Sequence, residues 1–331
     1  GYTEVKDDYY QVLKNWFSSR FGWEIKSNWL VITPGVVFAI STAITALTKE
    51  GDGILIQRPV YYPFSDIIDK NNRKLVNNPL RYKDGAYTVD FEDFEQKIID
   101  EKVKIFILCN PHNPVGRVWT KNELKKMGDI CLKYGVTVIS DEIHADFAHE
   151  GYEHTVFASI SEQINDITIT CTSPSKSFNL AGLQLSNIFI GNENLRRKFR
   201  DRLSQVGFGE PNTLGLVAAH TAYEKGGTWL DELKLYIQNN FVFAKQFIRT
   251  ELPKVHVVNP EGTYLLWLDF SEYGFSGEEL DQIITYKAGL WLDGGTMFGP
   301  EGDGFQRINV ACPWSVLEDG LRRLSEVFRD I

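Results

Sequence analysis

Five short apolar runs limit what this chain can fold into more than any other feature. They are ILIQRPV (54–60), KIFILCNP (104–111), VTVISDEI (136–143), ITITCTS (167–173) and SNIFIGN (186–192). Each is rich in Ile and Val, and each is short enough to read as a strand buried on both faces. Amphipathic stretches lie between and beside them: VVFAISTAITALTKE (36–50), FSDIIDKN (64–71), TKNELKKMGDICLKYG (120–135) and ENLRRKFRDRLSQV (193–206). The segment 120–135 opens on Thr120 with Glu123 three residues on, and it closes at Gly135. That pattern caps a helix at both ends. Strand–helix alternation of this kind predicts an α/β fold, with a mostly parallel sheet sandwiched by helices.

The chain has 331 residues, more than one hydrophobic core usually holds, so two domains are expected. The pattern changes near residue 230. A long helical stretch (229–252) stops before Pro253, and VHVV, TYLLWLDF, EELDQIITYKAG, a Gly-rich loop, QRINVAC and a last helix follow. We therefore expect a large domain over 1–230 and a smaller α+β domain over 231–331. Formal charge is −9, which disfavours nucleic acid and anionic membranes as partners. No apolar run approaches the roughly 18 residues of a membrane span. The four cysteines (Cys109, Cys131, Cys171, Cys312) are far apart in sequence and read as reduced thiols of a cytoplasmic protein. The chain opens on Gly1-Tyr2-Thr3 without Met, so a preceding segment is expected.

In open parallel sheets, ligands bind beyond the carboxyl ends of the strands. Three of those ends are unusually polar: NPHNPVG (110–116) after KIFILC, Asp141-Glu142-Ile143-His144 after VTVIS, and Ser173-Pro174-Ser175-Lys176 after ITITC. All three should face one crevice. A desolvated lysine amine has a lowered pKa and forms a Schiff base with an aldehyde. Pyridoxal 5'-phosphate is the common aldehyde cofactor, and its ring nitrogen usually has a carboxylate partner. Lys176 and Asp141 suit those roles. Asn113 can donate to the phenolic oxygen, and Tyr61 in PVYYPF offers a face for the ring. Ser173 and Ser175, with the backbone amides of Gly35, Val36 and Val37 at a helix start, can hold the phosphate.

The combination of NPHNPVGRVW, SDEIH and SPSKSFNLAG resembles the fold-type I, aspartate-aminotransferase-like family of pyridoxal-phosphate enzymes. TPGVV (33–37), GDGILIQRPVYYPF (51–64), GYEHTVF (151–157), EGTYLLWLDF (261–270) and FQRINVACP (305–313) resemble its C–S lyase branch, that of cystalysin-type cysteine desulfhydrases and cystathionine β-lyases. The resemblance implies Lys176 as Schiff-base lysine and general base, Asp141 at the pyridine nitrogen, and Asn113, Tyr61 and Ser173 on the cofactor. It implies Arg307 on the substrate α-carboxylate, with Tyr62 beside the substrate. Tyr2 matches a tyrosine that reaches the phosphate of a neighbouring subunit, which implies a homodimer with a shared active site. Two positions depart from the aminotransferase pattern. His144 replaces a tyrosine beside the cofactor, and Gln184 replaces a phosphate-binding arginine; both replacements resemble the lyase branch. The resemblance implies an N-terminal arm before GYT, the preceding segment expected above.

The implied activity is α,β-elimination of L-cystathionine or L-cysteine-type substrates to pyruvate, ammonia and a thiol. The alternative is an aminotransferase on the same scaffold, and a third reading is a cofactor-binding regulator. Each residue also has a plainer use: Arg307, for instance, could pair with a structural carboxylate such as Asp303. The His- and Asp-containing run 141–154 has no compact metal-ligand spacing, and no metal is expected. GGTMFGPEGDG (294–304) lacks a dinucleotide fingerprint and reads as a mobile loop before the Arg307 strand.

Overall fold

A computed structural model of the chain describes residues 2–329 and residue 331. Its largest sheet has seven strands: β1 Leu30–Thr33, β2 Gly53–Ile56 and β3 Lys74–Asn77, and then, beyond the hairpin β4 Arg81–Lys83 and β5 Ala86–Thr88, β6 Ile105–Cys109, β7 Thr137–Asp141, β8 Thr168–Thr172 and β9 Ser186–Ile190. Their order is β1-β9-β8-β7-β6-β2-β3. Only β9 runs against its neighbours, so the sheet is mostly parallel. A second, antiparallel sheet has the order β10-β11-β13-β12, with β10 His256–Val257, β11 Leu265–Asp269, β12 Asp293–Gly294 and β13 Phe305–Asn309.

The strands are uniformly apolar because both faces of the large sheet are covered. Successive side chains on β6 go to opposite faces. Ile105, Ile107 and Cys109 join a core under the helices Val36–Leu47, Pro63–Lys70 and Glu193–Gln205. Phe106 and Leu108 join another under the helices Phe91–Asp100 and Lys121–Tyr134. A third core spans the first helix, Asp7–Phe21, the long helix Gly227–Glu251, the second sheet and the last helix, Trp314–Phe328.

The helix Lys121–Tyr134 has the expected capping box between Thr120 and Glu123, and Gly135 ends it at φ 67°. The strands stop one to four residues earlier than their apolar runs suggest. Pro59 and Pro111 lack the N–H that a ladder needs, and the chain leaves the sheet just before each of them. The helix expected over 36–50 ends at Leu47, where Arg73 takes the carbonyl and hydroxyl of Thr48 at 2.7 and 2.9 Å. EELDQIITYKAG is helical at first (Gly277–Gln282) and then widens into a π-type turn over Ile283–Lys287. The helix Gly227–Glu251 runs unbroken past residue 230.

The Gly-rich stretch is folded rather than an open loop. It makes two short turns, Gly295–Phe298 and Pro300–Gly302, that pack back to back. A Cβ on Gly295 would sit 1.8 Å from the Gly302 carbonyl oxygen, so the approach requires glycine. The turns are tied to the large sheet's loops by a bond from the Val60 N–H to the Phe298 carbonyl at 3.1 Å.

Candidate active site

The polar ends of β6, β7 and β8 meet in one cleft of about 460 Å³, which the second sheet closes from the other side. That size suits a small-molecule ligand. A larger surface depression of about 590 Å³ lies among Lys6, Tyr10, Arg200 and Phe208, and none of the strand-end motifs reaches it.

Asp141 is the last residue of β7 and is buried. Burial pushes its carboxyl up to about 7, against the pull of the Ile143 N–H at 3.1 Å and the charge of Lys176. Lys176 sits in a single helical turn, Pro174–Ser177, directly after β8. Burial lowers its amine below the ordinary lysine range; Asp141 pulls it up and Arg307 pushes it further down. The chain turns there because the Ser173 hydroxyl accepts from the Ser175 N–H at 3.1 Å. Ser173 also donates to the Leu185 carbonyl at 2.8 Å, so its hydroxyl is engaged inside the turn while still lining the cleft.

Arg307 reaches in from β13. Its Nη1 donates to Asn113 Oδ1 at 2.7 Å, and its Nε and Nη2 donate to Asp293 Oδ2 at 3.1 and 2.6 Å. The Phe298 ring lies 4.7 Å from its guanidinium carbon. Asp293 stands directly across from Arg307 in the β12–β13 register. The arginine's carboxylate partner is therefore Asp293; Asp303 instead accepts from the Gly277 N–H at 2.8 Å.

Tyr61 and Tyr62 line the same cleft. Burial first, then Asp141 and Tyr62, raise the Tyr61 hydroxyl to about 12, with Arg307 opposing. His144 is buried in the wall, and burial with Lys176 and Arg307 holds its imidazole down to about 3, so the ring is neutral. Its Nδ1 has no partner. The helix Val36–Leu47 points its first turn at the cleft through Val36 and Val37, with no side-chain cap and no acidic residue there. Tyr2 does not line the cleft; it is 95% exposed. Tyr264, in the EGTYLLWLDF stretch but with no role assigned from it, and Asp293, which lies in no marked motif, also line the cleft. Tyr264 lies edge-on to His144 with ring centroids 5.4 Å apart, and burial raises its hydroxyl to about 12.

Other polar residues of the 141–154 run are used internally. His154 pairs with buried Glu142 at 2.9 Å, and His149 lies between the carbonyls of Pro260 and Thr263 at 3.0 and 2.8 Å.

The donor set fits pyridoxal phosphate. Uncapped helix N–H groups face the cleft and match a phosphate. The carbonyl of Asn113 is committed to Arg307, which leaves its amide N–H groups as donors. His144 Nδ1 is a buried polar atom lacking a partner, and Asp141 is a carboxyl awaiting a cation.

The family model for aminotransferase class I and II matches residues 2–324. Cystathionine beta-lyase PatB of Bacillus subtilis is 48% identical over 98% of this chain and 84% of its own length. Cystalysin of Treponema denticola, solved with pyridoxal 5'-phosphate, superposes with a TM-score of 0.97 at 42% identity, over 100% of this chain and 84% of that one. The PLP-bound C-S lyase of Staphylococcus hominis gives 0.93 at 36% identity, over 99% and 84%.

Proposed function

The chain belongs to the class I and II aminotransferase family, and from that premise we propose that it is a pyridoxal-phosphate-dependent lyase breaking the Cβ–S bond of a sulfur amino acid. The observation that carries this reading is the meeting of Lys176, Asp141 and Arg307 in one cleft, in a chain whose relatives include a cystathionine beta-lyase and C-S lyases.

Lys176 would hold the cofactor's aldehyde carbon, and Asp141 would face the ring nitrogen. Tyr61 would lie on the ring, with Asn113 and His144 beside its polar edge. The Val36 and Val37 amides, with Ser173, would hold the phosphate. Bound there, the cofactor supplies an electron-withdrawing ring that acidifies the substrate Cα–H bond. Beside a cationic ring nitrogen, Asp141 is favoured as the carboxylate and keeps that proton in place. Arg307 clamps the α-carboxylate and so fixes which substituent of Cα faces Lys176. Released when the substrate's amino group takes its place on the cofactor, Lys176, whose amine burial holds below the ordinary lysine range, would take the Cα proton at Nζ. Tyr62 borders the substrate at the mouth. The net reaction converts L-cystathionine and water to homocysteine, pyruvate and ammonia; L-cysteine gives hydrogen sulfide in place of homocysteine.

The family model itself favours a second reading, an aminotransferase. One experiment separates the two. Incubated with L-cystathionine or L-cysteine and no keto acid, a lyase releases pyruvate in step with thiol or sulfide. An aminotransferase needs a keto-acid acceptor and releases no thiol. Pyruvate formation that disappears in Lys176→Ala supports the lyase; turnover only with added keto acid overturns it.

The resemblance of GYT to the family's tyrosine that reaches a neighbouring subunit supports a homodimer in which Tyr2, exposed in the single chain, meets the partner's cleft. The four free cysteines support a reducing, cytoplasmic setting.

A further inference from the structure

We propose that Asp293 is a specificity-determining residue of this cleft. Its carboxylate sets which N–H groups of Arg307 receive an amino acid's α-carboxylate, and it selects against side chains that end in a second carboxylate. The inference rests on the reading above of the cleft as an amino-acid site.

A guanidinium has five N–H donors. Three are spoken for: Nε and one of Nη2 on Asp293, and one of Nη1 on Asn113. One N–H remains on each terminal nitrogen, the complement that a carboxylate takes with both oxygens. Asp293 and Asn113 hold the group from its flanks, and Phe298 covers a face. Arg307 is thereby oriented before any substrate arrives.

Exposure gives the cleft a direction. Asn113, Asp141 and His144 are 4–6% exposed and form its floor. Tyr62 is 40% exposed, Met297 46%, and the Asp293 side chain 38%; these form its mouth. An amino acid held by Arg307, with Cα over the floor, sends its side chain outward past Asp293. Among the described residues lining the cleft the cations are Lys176 and Arg307, and His144 is neutral. The α-carboxylate uses Arg307, and Lys176, whether joined to the cofactor or released as the base, faces the cofactor and Asp141. A second carboxylate at the mouth therefore meets the Asp293 anion with no cation to offset it. A neutral sulfur substituent meets no such repulsion. Neither does one ending in a zwitterion, as the far half of cystathionine does.

The test titrates the holoenzyme with L-glutamine and L-glutamate, a pair of similar shape that differ in side-chain charge, and follows the cofactor absorption. One screened like-charge contact predicts that wild type binds glutamine about five-fold more tightly than glutamate. Asp293→Asn and Asp293→Ser should each narrow that ratio to about two-fold or less. The same ratio in all three proteins, no discrimination by wild type, or no binding of either amino acid overturns the proposal. Pyruvate release from L-cystathionine by the same wild-type preparation tests the lyase reading separately. If pyruvate is absent while discrimination still follows residue 293, the lyase reading fails and the role of Asp293 stands.

Discussion

Asp141 holds a proton that its proposed partner would displace, and this makes the residue measurable without turnover. Its carboxyl titrates near 7 in the folded chain, against about 4 when unfolded. Between those values this carboxyl holds more protons in the folded, cofactor-free protein than in the unfolded chain, so its own contribution to stability is most favourable below about pH 4 and falls as pH rises to about 7. Three pK units correspond to a contribution on the order of 4 kcal/mol. Cofactor-free Asp141→Asn should lack that slope, so urea unfolding at pH 5 and pH 8 should favour the variant more at the higher pH. Identical slopes would show that the carboxyl is not held protonated. With cofactor loaded, the same variant should lose turnover by roughly a hundred-fold or more, the scale of removing one preorganised charge from a site. Arg307 gives a second residue-level expectation. Lysine keeps the charge but cannot hold Asn113, Asp293 and a carboxylate at once. Arg307→Lys should lower kcat/KM by about ten- to a hundred-fold, since hydrogen bonds to charged groups are worth about 1.5–3 kcal/mol each. Steady-state assays on L-cystathionine decide it, and an unchanged kcat/KM would remove Arg307 from substrate recognition.

Arg307 depends in turn on the two short turns that carry Phe298 and on the strand pair β12–β13. Gly295→Ala forces a Cβ against the Gly302 carbonyl, a backbone contact with nowhere to yield. Overpacking of this kind costs about 1–3 kcal/mol. The urea midpoint should fall accordingly, and kcat/KM should drop because Phe298 no longer seats the guanidinium. Lost stability with full activity would uncouple the turns from the site. At this scale the limits of sequence reading become physical. Ile/Val runs and the Thr120–Glu123 capping box are local signals, and the strands and helix they mark are present. The ends of β6, β7 and β8 were legible because the carboxyl edge of a parallel sheet gathers residues far apart in sequence. Asp293 was not legible, nor was the place of Tyr264 in the cleft, because both reach it through pairings in the second sheet. Nothing in WLDGG announces that Asp293 lies opposite Arg307 across the folded loop that joins β12 to β13. The first helix carries Tyr9, Leu13, Trp16 and Phe17 at helical spacing, but which core they enter depends on Phe189 of β9 and on helices some 200 residues away.

Cores that cross the line between the two sheets bear on how the whole molecule unfolds. The proposed division at 230/231 is a change of sheet, and it falls within a continuous helix. Trp267 of β11 packs with the large-sheet core and donates to the Tyr87 hydroxyl at 3.1 Å. It also stacks on Phe305 with centroids 5.1 Å apart. In the other direction, Phe17 and Trp23 pack edge-on against Phe189 of the large sheet, within the core that holds Leu266 and Phe270 of the smaller lobe. Neither lobe buries its apolar face alone, so the chain should unfold in one cooperative step, with calorimetric and van't Hoff enthalpies in agreement. Trp267→Ala sharpens the test. Truncating a buried aromatic costs about 3–5 kcal/mol. With shared cores, that loss lowers the one transition seen by calorimetry, by far-ultraviolet circular dichroism and by tryptophan fluorescence alike. With independent lobes, wild type shows two transitions and the substitution moves one of them. Two resolved transitions would mean that the contacts across the sheets are interfaces between units that fold separately, and that Arg307 and Lys176 meet by docking rather than by folding together.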